Sequence, residues 1–183
     1  MGAKHKAVFL DRDGTLNEER KYLSDPDKLV LIPGVVEALR QLRDAGFLLF
    51  VVTNQSGIGR GYYTIDDMHR VNTRLLAILE KQGIEISNIY FAPEAPENPS
   101  RGRKPSPQFL QDARDQFEVD LSRSFMIGDK VSDVRCGENA GVAASILVRT
   151  GYGAEHAEKH SSSLATATIV PDLSAAALWI LAQ

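Results

Sequence analysis

Cysteine is nearly absent from these 183 residues, with Cys136 the single one. It can close no internal disulfide and supply no multi-cysteine metal site, which excludes a disulfide-built secreted scaffold. A basic excess is missing too. Formal net charge is −3 and the pI is about 5.8, so counterion release has little to drive binding to a nucleic acid. Long apolar runs are also lacking: Ala7-Val8-Phe9-Leu10 is too short for a signal-peptide core or a membrane span. Gly2 follows Met1, but Lys6 stands where a myristoylation pattern has Ser or Thr. The expectation is a cytoplasmic protein with neither membrane nor nucleic-acid partner. No internal repeat or low-complexity tract is present. What remains is ordinary globular composition, 43% apolar and 25% charged, enough for one domain over residues 1–183 with a real core.

Short apolar, β-rich runs alternate with longer segments of helical spacing. The strands are expected at Ala7–Leu10, Phe47–Val52, Asn88–Phe91, Ser124–Ile127, Ala144–Val148 and Ala167–Val170. The helical patterns cover Gly34–Ala45, Thr64–Gln82, Pro107–Phe117, Val131–Ala140 and Asp172–Leu181, the last with Trp179 on its core face. Thr64 suits an N-cap and Gly83 a C-terminal stop. This alternation predicts an α/β fold, three-layer α/β/α and Rossmann-like, with a mainly parallel central sheet and no large cap domain. In such sheets ligands gather beyond the carboxyl ends of the strands.

Three polar clusters follow expected strands: Asp11-Arg12-Asp13-Gly14-Thr15, Thr53-Asn54-Gln55-Ser56-Gly57 and Gly128-Asp129-Lys130. Asp11 and Asp13 admit two readings, a solvated turn or a pair tolerated because a cation neutralises it or one acid holds a proton. Asp129 suits a hard-cation ligand such as Mg²⁺, whereas Asp133 is in part explained as a helix cap. Thr53 and Lys104, each unremarked alone, acquire weight together with the acids, because a transferring phosphoryl group needs such donors. The stretch Ala92–Pro107 reads as an active-site loop in preference to a domain linker. The four histidines form no convincing ligand pair, and His156 and His160 are placed on a solvated segment.

In order along the chain, DRDGT (Asp11–Thr15), VVTN (Val51–Asn54), RKP (Arg103–Pro105) and GDKVSD (Gly128–Asp133) resemble the four motifs of the haloacid dehalogenase-like phosphatases. Within them, DRDGTLN, TNQSGIGRG and RKPSP resemble the D-glycero-D-manno-heptose 1,7-bisphosphate 7-phosphatases and the related histidinol-phosphate phosphatases. The resemblance implies Asp11 as nucleophile, Asp13 as general acid/base, and Thr53 and Lys104 as holders of the phosphoryl group. It implies Mg²⁺ on Asp11, Asp129 and the Asp13 backbone carbonyl. Asn54, Gln55, Ser56, Arg103, Lys130 and Tyr22 would meet the substrate, a small phosphorylated sugar. Arg20 and Lys21 add positive charge at the entrance, and Arg149-Thr150-Gly151 reads as a family loop or a plain turn.

One departure stands out. Relatives that bind zinc do so through Cys and His before Arg-Lys-Pro, where this chain has Ala92, Glu94, Ser100 and Gly102. None of these supplies a thiolate or imidazole, so no zinc is expected. The absence of a cap points to a monomer. The leading function is removal of the C7 phosphate of a heptose 1,7-bisphosphate, in nucleotide-activated heptose synthesis. Alternatives are a histidinol-phosphate or other small sugar-phosphate phosphatase, and, outside enzymes, a module that senses sugar phosphates. A polynucleotide 3′-phosphatase is disfavoured by the acidic pI, and a receiver domain by the D-x-D-G-T order.

Overall fold

Strand and helix alternate from Lys6 to Leu181 in the computed structural model, which describes residues 4–183. Gly2, weighed above for acylation, lies outside them. Strands β1 (Lys6–Leu10), β2 (Phe47–Asn54), β3 (Asn88–Ala92), β4 (Phe125–Gly128), β5 (Ala144–Val148) and β6 (Thr168–Val170) form one sheet. Its order is β3-β2-β1-β4-β5-β6, and every pairing is parallel. The helices are α1 (Val35–Asp44), α2 (Ser56–Gly59), α3 (Ile65–Glu80), α4 (Gln108–Phe117), α5 (Val131–Ala140), α6 (Gly153–Lys159) and α7 (Leu173–Leu181).

Alternation along the strands builds the two outer layers. Val8 and Leu10 join the core that α1, α3 and α7 cover through Leu39, Leu42, Leu75 and Ile180. Ala7 and Phe9 face the other way, against Phe50, Met126 and Leu110 of α4. Each such buried Leu or Phe contributes about 1.5–3 kcal/mol of transfer free energy. Trp179 is partly buried at the edge of the first core, edge-on to Phe125. The expected start of α3 is observed: Thr64 Oγ1 accepts from the Asp67 N–H at 3.1 Å, and Asp67 accepts from the Thr64 N–H at 2.7 Å.

Two segments differ from the expectation. Strand β2 runs on through Thr53 and Asn54 because these residues still pair with Phe91 and Ala92. The stretch around His156 is helical, not a free solvated segment, and His156 Nδ1 accepts from the Val131 N–H at 3.2 Å, satisfying an open donor of the first turn of α5. Burial and the neighbouring His160 hold the His156 pKa below its ordinary value. The unfolded chain therefore binds the proton first as pH falls, so this contribution to stability is complete above about pH 6.5 and is lost below it. Wild-type protein is expected to lose more unfolding free energy between pH 7.5 and 5.5 than His156→Gln, in paired urea titrations. Identical slopes would remove His156 from the balance.

The strand order reverses between β1 and β4, whose connections leave in opposite directions and open a crevice at their carboxyl ends. Around it, segments 11–34 and 93–107 are loops, save one short turn of 3-10 helix at Pro26–Lys28. Asn17 bridges to Asp13 and Leu31, folding the first loop back on itself. Among the described residues, no helix is long and apolar enough to cross a membrane.

Candidate active site

At the crevice, Asp11 leaves β1 and Asp129 leaves β4, with Thr53 one strand away at the end of β2. A cavity of about 340 Å³ lies over them. Asp11, Asp13, Thr53, Asn54, Gln55, Ser56, Arg103, Lys104, Lys130 and Tyr22 all line it. Asp129 lies beneath, fully buried. The structure thus brings every expected site residue to one place.

Lys104 is the electrostatic centre of the floor. Its Nζ lies 2.8 Å from Asp11 Oδ1, 2.6 Å from Asp133 Oδ1 and 2.7 Å from the Val52 carbonyl oxygen. Asn54 fixes the lysine's backbone: its Oδ1 accepts from the Lys104 N–H at 3.0 Å and its Nδ2 donates to the Lys104 carbonyl at 3.1 Å. Asn54 is therefore chiefly a clamp between β2 and the loop, although it also borders the cavity. Asp133 does cap its helix, accepting from the Lys130 N–H at 2.9 Å, while its other oxygen serves Lys104.

Asp129 is held from the other side. Its Oδ2 accepts from the Tyr152 N–H at 2.8 Å, and Thr150 Oγ1 donates to the Gly14 carbonyl at 2.6 Å. Residues 149–153 are thus part of the site's wall. Gly14 has φ of 83°, and a Cβ there would lie 2.2 Å from Asp129 Oδ2, so the position requires glycine on both counts. Oδ1 of Asp129 is buried and accepts no hydrogen bond, with Lys130 Nζ 3.5 Å away.

Carboxylate oxygens of Asp11, Asp129 and Asp133 lie within 4.8 Å of one another, the one such convergence of acidic, His or Cys donors among the described residues. Burial and the Asp11 charge push the Asp129 carboxyl up to about 8, a cost that a bound cation reverses. The orphaned Asp129 oxygen and an all-oxygen donor set fit a hard divalent ion. Asp133 is committed to its helix cap and to the Lys104 ion pair, whereas Asp129 Oδ1 has no hydrogen-bond partner and Asp11 spends only Oδ1 on Lys104. The Asp13 side chain points elsewhere, toward Arg12, Asn17 and Gln55.

Lys130 spans the mouth, 3.4 Å from Glu19 Oε2 and 4.8 Å from the centre of the Tyr152 ring. Burial opposes its charge, but Asp11, Asp129, Asp133 and Glu19 outweigh this and raise its pKa. Lys21 lines the cavity, whereas Arg20 pairs with Glu18 on the surface and borders an adjoining cleft. The residues that sequence patterns missed are Arg12, Tyr63, Ser132 and Tyr152. Only Arg12 carried a signal, as a cation placed between two acids.

The loop that lacks thiolates is tied by hydrogen bonds. Ser100 Oγ donates to Glu94 Oε2 at 2.7 Å and accepts from the Arg103 N–H at 3.1 Å, and the Arg103 guanidinium donates to the Glu94 carbonyl at 3.2 Å. Ala92, Glu94, Ser100 and Gly102 do not fit a zinc ion.

A HAD-hydrolase-like family model matches residues 102–176. The chain is 39% identical to D-glycero-alpha-D-manno-heptose-1,7-bisphosphate 7-phosphatase of Burkholderia mallei, over 79% of this chain and 80% of that one. It is 41% identical to D-glycero-D-manno-heptose-1,7-bisphosphate 7-phosphatase of Thermosynechococcus vestitus, over 95% and 94%. Among solved structures, D,D-heptose 1,7-bisphosphate phosphatase of B. bronchiseptica, complexed with magnesium and phosphate, superposes with a TM-score of 0.89 at 28% identity, covering 97% of this chain and 98% of that one. Fold, site geometry and these relatives agree: the chain belongs to the heptose-1,7-bisphosphate 7-phosphatase family of haloacid dehalogenase-like hydrolases.

Proposed function

We propose that this protein is a Mg²⁺-dependent phosphomonoesterase that removes the C7 phosphate of D-glycero-D-manno-heptose 1,7-bisphosphate, in nucleotide-activated heptose synthesis, through an aspartyl-phosphate on Asp11. The observation that carries the reading is the convergence of Asp11, Thr53, Lys104 and Asp129 under one cavity, with Asp13 at its wall. Asp11, Asp129 and the Asp13 carbonyl would hold magnesium, which would neutralise charge on the phosphoryl oxygens. Lys104 aims and pairs the Asp11 carboxylate. An Asp11 oxygen forms a bond to phosphorus as the ester P–O bond breaks, and Asp13 gives its proton to the departing sugar oxygen. Water then attacks the same phosphorus, Asp13 takes its proton, and Asp11 is freed with inorganic phosphate. Thr53 and Lys104 supply donors to charge that spreads over the transferring group. Arg103, Lys130, Ser56 and Tyr22 meet the remainder of the sugar phosphate.

With Mg²⁺ present, kcat/KM for the heptose bisphosphate is expected to exceed that for histidinol phosphate or an aryl phosphate by about 100-fold, near 3 kcal/mol of transition-state binding. The product is heptose 1-phosphate, which phosphorus NMR identifies. Equal rates on all three would withdraw the heptose assignment and keep the phosphatase. No release from any would favour a sensor. Elemental analysis of purified protein is expected to find no stoichiometric zinc, and one zinc per chain would overturn the reading of the Glu94–Ser100 clip.

A further inference from the structure

Among the described residues, the largest fully buried side chain is charged: Arg12 is 0% exposed. It cannot meet substrate, and burying a guanidinium is costly unless every donor is used. Here four of the five N–H groups are spread over three partners. Nε and one terminal nitrogen donate to Asp13 Oδ2 at 3.2 and 2.9 Å. The same terminal nitrogen lies 3.1 Å from Gln55 Oε1, and the other donates to Asn72 Oδ1 of α3 at 2.9 Å. A lysine has no fork with which to do this.

The second half of the network orients Gln55. Its Oε1 also accepts from the Tyr63 hydroxyl at 2.6 Å. That leaves Nε2 to donate to Thr53 Oγ1 at 2.8 Å and to Asp13 Oδ2 at 2.9 Å. Asp13 Oδ2 is thereby saturated by three donors. Oδ1 receives only the Asn17 Nδ2, at 3.0 Å, and retains capacity for one more partner. The Asp13 side chain keeps 14% exposure, on the cavity.

We propose that Arg12, with Gln55 and Tyr63, is a positioning residue that reserves Asp13 Oδ1 as the oxygen that carries and returns the proton. This rests on the phosphatase reading above. In the first step the Oδ1–H bond breaks and an O–H bond forms on the sugar oxygen as its P–O bond is lost. In the second, Oδ1 receives the proton of the attacking water. Oδ2, occupied by Arg12 and Gln55, takes part in neither. Because Gln55 also touches Thr53, the same network sets Asp13 in register with a residue at the phosphoryl group.

A leaving group that departs without a proton separates this role from a structural one. The test measures the first-turnover rate with Mg²⁺ for heptose bisphosphate, whose alkoxide needs the proton, and for 4-nitrophenyl phosphate, whose phenolate does not. Arg12→Gln is expected to slow the first by about 100-fold and the second by less than about 3-fold. Tyr63→Phe, which keeps the packing, is expected to slow only the first, by roughly 3- to 10-fold, and it carries the test where Arg12→Gln does not fold. Equal losses on both esters, or none on either, in the variant that folds would overturn the proposal and leave the phosphatase reading intact. A wild-type protein that releases phosphate from neither ester overturns both.

Discussion

Asp11→Asn is expected to lower kcat by at least about 10³-fold, roughly 4 kcal/mol of transition-state stabilisation, with almost no change in melting temperature. The asymmetry follows from the partners. Asn is isosteric with Asp, and Lys104 keeps Asp133 at 2.6 Å and the Val52 carbonyl at 2.7 Å after the Asp11 charge is gone. The backbone of residue 11 stays tied through its N–H to the Ile127 carbonyl at 2.9 Å. What disappears is the nucleophile. Paired kinetic and thermal measurements check this, and activity near wild type would take the nucleophilic role away from Asp11.

Lys104→Met is expected to show the opposite balance, with a large stability loss as well as slow turnover. Lys104 is buried with its two carboxylates, so solvent screens the triad very little. Removing one partner of a buried ion pair costs about 3–5 kcal/mol, because the remaining charges lose their compensation. Loss of a fixed donor at the phosphoryl site costs a further 10²–10³-fold or so in kcat. Adding Asp133→Asn should restore part of the urea midpoint without restoring activity. A Lys104→Met variant as stable and active as wild type would mean that the ammonium holds neither the floor nor the phosphate.

Much of this arrangement was legible in the chain because the signals were local. An apolar run ending in Asp-Arg-Asp-Gly announces both a buried strand and the crevice beyond it, and Val131–Ala140 appeared as a helix with its observed ends. Gly14 was readable as a turn residue, though not as the residue whose missing Cβ makes room for Asp129. Non-local partners left no such trace. His156 is a cap for a helix more than 20 residues away, and Asp133 serves both its own helix and Lys104. Arg12 shows in the chain only as a cation between two acids, and its burial comes from α3, which folds over it and places Asn72 against its guanidinium. Asn54 and Gln55 were expected to face substrate. Their side chains are largely spent on Lys104, in the loop after β3, and on Asp13, Thr53 and Tyr63, and the pairing of β2 with β3 on one side and β1 on the other sets Lys104 and Asp13 beside them.

The most direct test traps the covalent intermediate. Wild-type protein turning over the heptose bisphosphate with Mg²⁺ is quenched in the steady state, reduced with borohydride, digested and mapped by mass spectrometry. The aspartyl-phosphate mechanism predicts homoserine at position 11 only, and none in unreacted protein. Full turnover with Asp11 unmodified would mean that water attacks the phosphate directly, and would contradict it.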